Sequence, residues 1–174
     1  DRWAVACAAK AQKEILKAYD DFDFHQVIHS LVKFCSIDMG SFYLDIIKDR
    51  QYTAKKDGLA RRSCQTALYL IIEAMVRWMA PILSFTAEEI WENMPWKHGR
   101  FVFTEEWSKD LFDLDEGSRF GMDFWEYVKN VRDEVNRHIE LARKDGSIGG
   151  SLEAEVTVYA DDDGREKLGR LEDE

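Results

Sequence analysis

Proline, cysteine and histidine are scarce in this chain, at two, three and four residues among 174. Cys7, Cys35 and Cys64 are odd in number and far apart, with no Cys-x-x-Cys pair of the kind that zinc sites use. They are expected to be free, buried thiols in a reducing cytosol. His25 and His29 stand one helical turn apart, as two metal ligands could. No third ligand is near them, so one packed and one solvated imidazole is the expectation. His98 and His138 stand alone. No uncharged apolar run approaches the roughly 18 residues of a membrane span, and no membrane association is expected. The opening DRWAVACAAK has no secretory apolar core and no initiator methionine, so it reads as an internal cut. Ser84 and Ser151 lack a nucleophile elbow, and Gly149-Gly150 lacks a phosphate-binding or dinucleotide fingerprint. No residue is nominated as catalytic and none as a metal ligand.

What is present is core material: hydrophobic content is 45% and aromatic content 13%, which argues against disorder. The apolar residues recur with helical period. An alanine-rich helix is predicted over 1–19, capped by Asp1. A second follows over 24–48, capped by Asp23, with Val27, Leu31, Phe34, Cys35, Phe42, Ile46 and Ile47 on one face. Gly40 lowers helix propensity there and suggests a close helix crossing. Residues 49–57 read as a polar connection and 58–80 as a third helix. Pro81 ends it, and Thr86 with Glu89 forms a capping box for a short helix over 86–94. Trp78, Phe85, Trp91 and Trp125 are expected in the core. Residues 96–118 lack a helical repeat, and Phe101-Val102-Phe103 is extended at best.

The repeat resumes over about 121–144 and stops at Gly146 and Gly149-Gly150. Residues 151–160 alternate with period two, placing Leu152, Ala154, Val156 and Val158 on one side of a strand. Asp161-Asp162-Asp163-Gly164 reads as a turn, and 165–174 as the start of another helix. The predicted fold class is mainly α, a helical bundle over 1–146 with a short β segment near the C-terminus. Residues 147–174 then begin a truncated α/β junction subdomain. A lone strand leaves its ladder groups unpaired, so partner strands are expected beyond Glu174.

Several segments carry a family likeness. Arg77-Trp78-Met79-Ala80-Pro81-Ile82-Leu83-Ser84-Phe85-Thr86-Ala87-Glu88-Glu89-Ile90-Trp91 resembles a signature of the helical anticodon-binding domain of class I aminoacyl-tRNA synthetases for branched aliphatic amino acids. Asp1-Arg2-Trp3 is similar to the tripeptide opening the second half of that domain. Residues 42–53 (FYLDIIKDRQYT) and 61–68 (RRSCQTAL) are close to the isoleucine-specific bacterial enzymes. Residues 131–136 and 149–154 resemble the family's helix-to-sheet junction. The likeness spans most of residues 1–160, in order. It implies a cytoplasmic, monomeric ligase that joins isoleucine to its tRNA with ATP and magnesium, and a zinc module further along. The HIGH and KMSKS motifs of adenylate chemistry do not occur here. The implied role of this piece is to hold the anticodon arm for the remaining domains, without cofactor or catalysis of its own.

A net charge of −10 opposes nucleic-acid binding, since phosphates attract Lys and Arg. Its distribution softens the objection: residues 51–82 hold five basic and two acidic side chains, whereas 101–126 hold two and eight. Single-stranded loops are held by cations, stacking planes and hydrogen-bond donors. Lys48, Arg50, Gln51, Tyr52, Lys55, Lys56, Arg61 and Arg62 concentrate all three near the junction of two helices. Tyr52 suits either base stacking or a plug between helices, and Arg50 and Arg62 either RNA or pairing with Asp45 or Asp49. Lys129, Arg132, Arg137, Arg143 and Lys144 form a second cationic face, with Asp133, Glu134 and Glu140 favouring a solvated, salt-bridged surface. Arg77 is expected to pair with Glu73. The alternative function is an acidic helical scaffold that binds another protein through Trp96, Trp107 and Phe112.

Overall fold

A computed structural model describes residues 1–96, 99–115 and 117–173, so His98 lies outside the described residues. The chain divides into two compact units, Asp1–Leu114 and Asp115–Glu174. Among the described residues the regular structure is helical, with no strand.

In the first unit, α1 spans Arg2–Asp20, α2 Phe24–Lys33, a π-helical segment Phe34–Tyr43, α3 Leu44–Thr53, α4 Leu59–Met79 and α5 Ser84–Glu92. α1 is the central rod. Ala4, Ala8, Ala9, Ala11 and Ala18 are buried along it, and their small side chains let neighbouring backbones approach without a volume penalty. α2 and α3 return antiparallel to it: Trp3 meets Phe42 edge-on at 4.8 Å and Tyr19 meets Phe24 at 6.3 Å. α4 runs parallel to α1. The Tyr19 hydroxyl donates to the Trp78 carbonyl at 2.8 Å, and the Trp78 indole donates to Gln12 at 2.9 Å.

The Asp23 cap holds, its carboxylate accepting from the Gln26 N–H at 3.1 Å. Asp1 occupies the cap position of α1, but its side chain makes no cap bond and instead accepts from the Tyr43 hydroxyl at 2.8 Å. The expected single helix over 24–48 is interrupted by the wider π segment and continues to Thr53. The connection shrinks to residues 54–58. A π turn advances the buried face by five residues rather than four, so Phe34 is followed inward by Met39, then Phe42, Tyr43 and Ile47. That is why Cys35 and Ile46, expected inside, are exposed. Gly40 answers to the same geometry. A Cβ there would stand 3.0 Å from the Cys35 carbonyl oxygen, so the crowding comes from its own helix and not from a crossing helix.

α4 ends at Met79 ahead of Pro81, and its last carbonyl accepts from the N–H groups of Ile82 and Leu83 at 3.0 and 2.7 Å. This tight turn starts α5 at Ser84, two residues before the predicted capping box. Thr86 is therefore already inside the helix, which has no side-chain cap. Ala87 and Trp91, one turn apart, face the core, and Phe85 points away at 94% exposure. It is not a core residue. Trp78 and Trp91 are fully buried as expected, whereas Trp125 in the second unit is half-buried. Phe101-Val102-Phe103 is not an extended run, because residues Val102–Thr104 form a 3-10 turn. Val102 packs with Val76, Ala87, Trp91 and Met94.

Charge is buried at this junction. Arg77 pairs with Glu73 on its own helix and lies 3.8 Å from Glu105. Its guanidinium also covers Trp91, 4.9 Å from the ring centre, and the Trp96 indole donates to Glu73.

In the second unit, α6 spans Met122–Lys144 and α7 Asp162–Gly169. The predicted turn at 161–164 is the first turn of α7, with the Asp161 carboxylate accepting from the Gly164 N–H at 2.8 Å. α7 sits close on α6, since a Cβ at Gly164 would come within 2.4 Å of the Tyr127 hydroxyl. Lys167 lies over the Tyr127 ring at 5.1 Å. The predicted strand over 151–160 is not formed: Ser151–Glu153 is a 3-10 turn and 154–160 is irregular. Val156 and Val158 remain about half exposed, at 47% and 46%. Alternation alone does not make a strand when no second strand supplies the ladder.

Replacing Arg77 with Met should destabilise the first unit by about 3–5 kcal/mol, because Glu73 would stay enclosed without its cation. Urea denaturation followed by circular dichroism checks this. A loss under about 1 kcal/mol would mean that the pair is solvated and worth no more than a surface ion pair.

Candidate nucleic-acid interface

The start of α1, the end of α3 and the start of α4 meet at one end of the first unit, and the eight candidate residues lie there. Their side chains divide into two groups. Arg50 turns inward to Asp1, with its guanidinium 3.3 Å from both carboxylate oxygens. It does not pair with Asp45 or Asp49. Asp1 is largely enclosed, at 15% side-chain exposure. Burial pushes the Tyr43 phenol well above its ordinary range, so this hydroxyl remains a donor to Asp1. Gln51 donates to the Cys64 sulfur at 2.7 Å. Arg61 reaches the Ala54 carbonyl at 3.4 Å, closing the α3–α4 turn, and its Nε is buried without a hydrogen-bond partner.

The other five face solvent. Tyr52 is 85% exposed, which excludes the plug between helices. Lys56 and Arg62 are exposed. Lys48 pairs with Asp45 at 2.9 Å, and Lys55 lies 3.9 Å from Asp57. The bond and charge of Asp45 raise the Lys48 pKa. Such surface pairs contribute little net stability, and a phosphate can replace their carboxylates. Gly58 precedes α4 as its cap residue and supplies no side-chain cap, so the unpaired N–H groups of the first turn add positive potential to the same rim.

Reasoning from the sequence missed Leu59, which is 86% exposed beside this turn. Its signal was available. Leu59 falls off the stripe Cys64, Ala67, Ile71, Ala74 and Trp78 that α4 buries.

The second cationic face is salt-bridged, as its acidic neighbours suggested. Arg137 binds Glu134 at 2.5 Å and Arg143 binds Glu140 at 2.6 Å, all four exposed. His25 and His29 are both exposed, so the expected packed imidazole is absent. Among the described residues no group of three or more His, Cys, Asp or Glu side chains could hold a metal.

Residues 1–158 match the family described as the anticodon-binding domain of tRNA ligase. The chain belongs to that family. This anticodon-binding domain is 62% identical to the isoleucine–tRNA ligase of Pectobacterium carotovorum subsp. carotovorum (strain PC1), over all of this chain and 19% of that protein. It is 61% identical to the corresponding protein of Klebsiella pneumoniae (strain 342), again over all of this chain and 19% of that protein. For Edwardsiella ictaluri (strain 93-146) the values are 60% identity, all of this chain and 18% of that protein. The domain thus spans less than a fifth of the length of these relatives.

The Glu134 carboxyl is held low, at about 2 against an ordinary 4.5, first by its hydrogen bond to Arg137 and further by His138. A carboxylate whose folded pKa is depressed stabilises above the unfolded value, and that contribution disappears as pH falls through the folded one. The pair should therefore stay ionised in the folded protein until pH nears about 2, and its contribution to stability should be full above pH 4.5 and decline between there and about 2. A carboxyl-carbon NMR titration should place the Glu134 midpoint near the lower figure. A midpoint at 4.5 would mean that the pair does not persist in solution.

Proposed function

We propose that this domain holds the anticodon stem-loop of an isoleucine tRNA, as one part of a longer isoleucine–tRNA ligase. The observation that carries the reading is the family match, extended by 60–62% identity to the three ligases over the whole chain. In this reading the exposed rim of Lys48, Tyr52, Lys55, Lys56 and Arg62 meets the RNA. Lysine and arginine neutralise phosphates, and the Tyr52 ring stacks on an unpaired base. Arg50, Gln51 and Arg61, also candidates from the sequence, act behind them by fixing the α3–α4 turn.

The chemistry of joining isoleucine to tRNA, with its ATP, magnesium and zinc, is proposed for the rest of the polypeptide. The grouping of this chain into a bundle over 1–146 and a junction subdomain over 147–174, the monomeric state and the cytoplasmic setting belong to the same proposal. The contribution of this domain is positional. It restricts where the anticodon arm can lie, which lowers the entropic cost of presenting the acceptor end to a distant catalytic site.

Titration with an isoleucine anticodon stem-loop at two salt concentrations tests the reading. Affinity should fall steeply as salt rises, since each neutralised phosphate contributes about 0.7 to the logarithmic slope for single-stranded RNA. Salt-insensitive binding, or none to RNA beside tight binding to a protein through Trp96, Trp107 and Phe112, would favour the acidic scaffold. Within the rim, Arg62→Glu with Lys56→Glu should weaken binding at least tenfold and flatten the salt slope, leaving the thermal midpoint nearly unchanged. Arg50→Ala should do the opposite, lowering the thermal midpoint by uncoupling Asp1. Unchanged affinity in the folded Arg62/Lys56 variant would remove the rim from the interface.

A further inference from the structure

A groove of about 540 Å3 runs between the π segment, the start of α3 and the outer side of α4. Cys35, Met39, Leu44, Leu68, Tyr69 and Met75 line it, with the Gln65 amide and the Tyr69 hydroxyl as polar groups and no charged side chain among its walls. Trp96 stands at its edge, 4.6 Å from the Tyr69 ring. Leu44 and Tyr69 are 41% and 40% exposed. The groove is thus a recess lined by aliphatic, thioether and aromatic groups and open to water.

We propose that this groove seats an amphipathic helix supplied by the remainder of the ligase polypeptide. The proposal rests on the reading of this chain as one domain of a longer ligase. Three observations select that occupant. The walls along α4 run from Gln65 to Met75, about 15 Å at the helical rise. That length accepts the i, i+3 or i+4, and i+7 anchors of a helix laid in a groove, and flexible methionines adapt to such side chains. The walls carry no Lys or Arg, so nothing in them neutralises phosphate. A nucleobase placed inside would find few protein partners for its polar edge beyond the Gln65 amide and the Tyr69 hydroxyl. Finally, more than four-fifths of each relative lies outside this chain. A tethered segment of that polypeptide would see the groove at an effective concentration that a second, free copy does not reach at ordinary dilution.

Cys35 reports on the groove, because it lines the recess and is exposed while Cys7 and Cys64 are buried. A bulky maleimide, applied under native conditions and followed by peptide mass spectrometry, should label Cys35 ahead of Cys7 and Cys64 in the isolated chain. In the full-length polypeptide containing the same sequence, labelling should be at least tenfold slower. Tyr69→Glu in the full-length protein should restore the labelling rate. Equal rates in the two proteins would overturn the proposal, as would an unreactive Cys35 in the isolated chain. Protection of the isolated chain that grows with its own concentration would assign the groove to a second copy and overturn it too. Protection that requires added anticodon stem-loop would assign it to RNA, with the same consequence. Stem-loop affinity of the isolated chain, measured in parallel, reads the anticodon-binding proposal separately. That proposal can fail while Cys35 protection in the full-length protein stands, and the reverse.

Discussion

One carboxylate organises the basic end of the bundle. Asp1 accepts from the Tyr43 hydroxyl and from the Arg50 guanidinium, joining α1 to the end of the π segment and to α3. An enclosed acid demands such partners, and removing either would leave charge or a donor without compensation. Because α3 is fixed at Arg50, the turn after it is fixed as well. Tyr52, Lys55 and Lys56 inherit their positions from a contact they do not make.

Charge is segregated along the same rods. Lys48, Arg50, Lys55, Lys56, Arg61 and Arg62 gather where α1 begins, whereas Asp20, Asp21 and Asp23 stand where it ends. About 28 Å of helix separates the two ends, from the rise of α1. A chain of net charge −10 can therefore attract a polyanion at one end while repelling it elsewhere. Under the proposed reading, that arrangement would orient an approaching nucleic acid as well as attract it. Acidity of the whole does not exclude a local cationic footprint, and here it would help to discourage wrong placements.

Most of the helical order was legible in the sequence because it depends on local signals. Asp23 caps α2, Pro81 stops α4, and Ala-rich and Leu-rich periodicity marks the rods. The misreadings share a cause: each depended on a neighbour distant in sequence or on a non-standard turn. Phe85 has an apolar side chain in an apolar stretch, and only the placement of Ala87 and Trp91 turns it outward. The alternation over 151–160 describes a face, but a face is not a ladder. In the candidate site, the positions of the cationic side chains were legible, but their allegiances were not. Arg50 and Arg62 are equivalent as letters, and one is drawn into the fold by Asp1 while the other remains at the surface.

The π segment has an outcome for how such a domain can change over evolution. Its wide turns set the rotational phase of every residue that follows, so Phe34–Tyr43 acts as a dial for α3. Relaxing its wide turns to ordinary α geometry, with no change in the number of residues, would rotate the downstream helix by about 100° for each turn lost. Tyr52 and Lys48 would then swing away from the surface they now share, although neither had been altered. The wide geometry of this stretch should consequently be guarded, whereas a single deletion could be absorbed by one turn narrowing to the ordinary pitch.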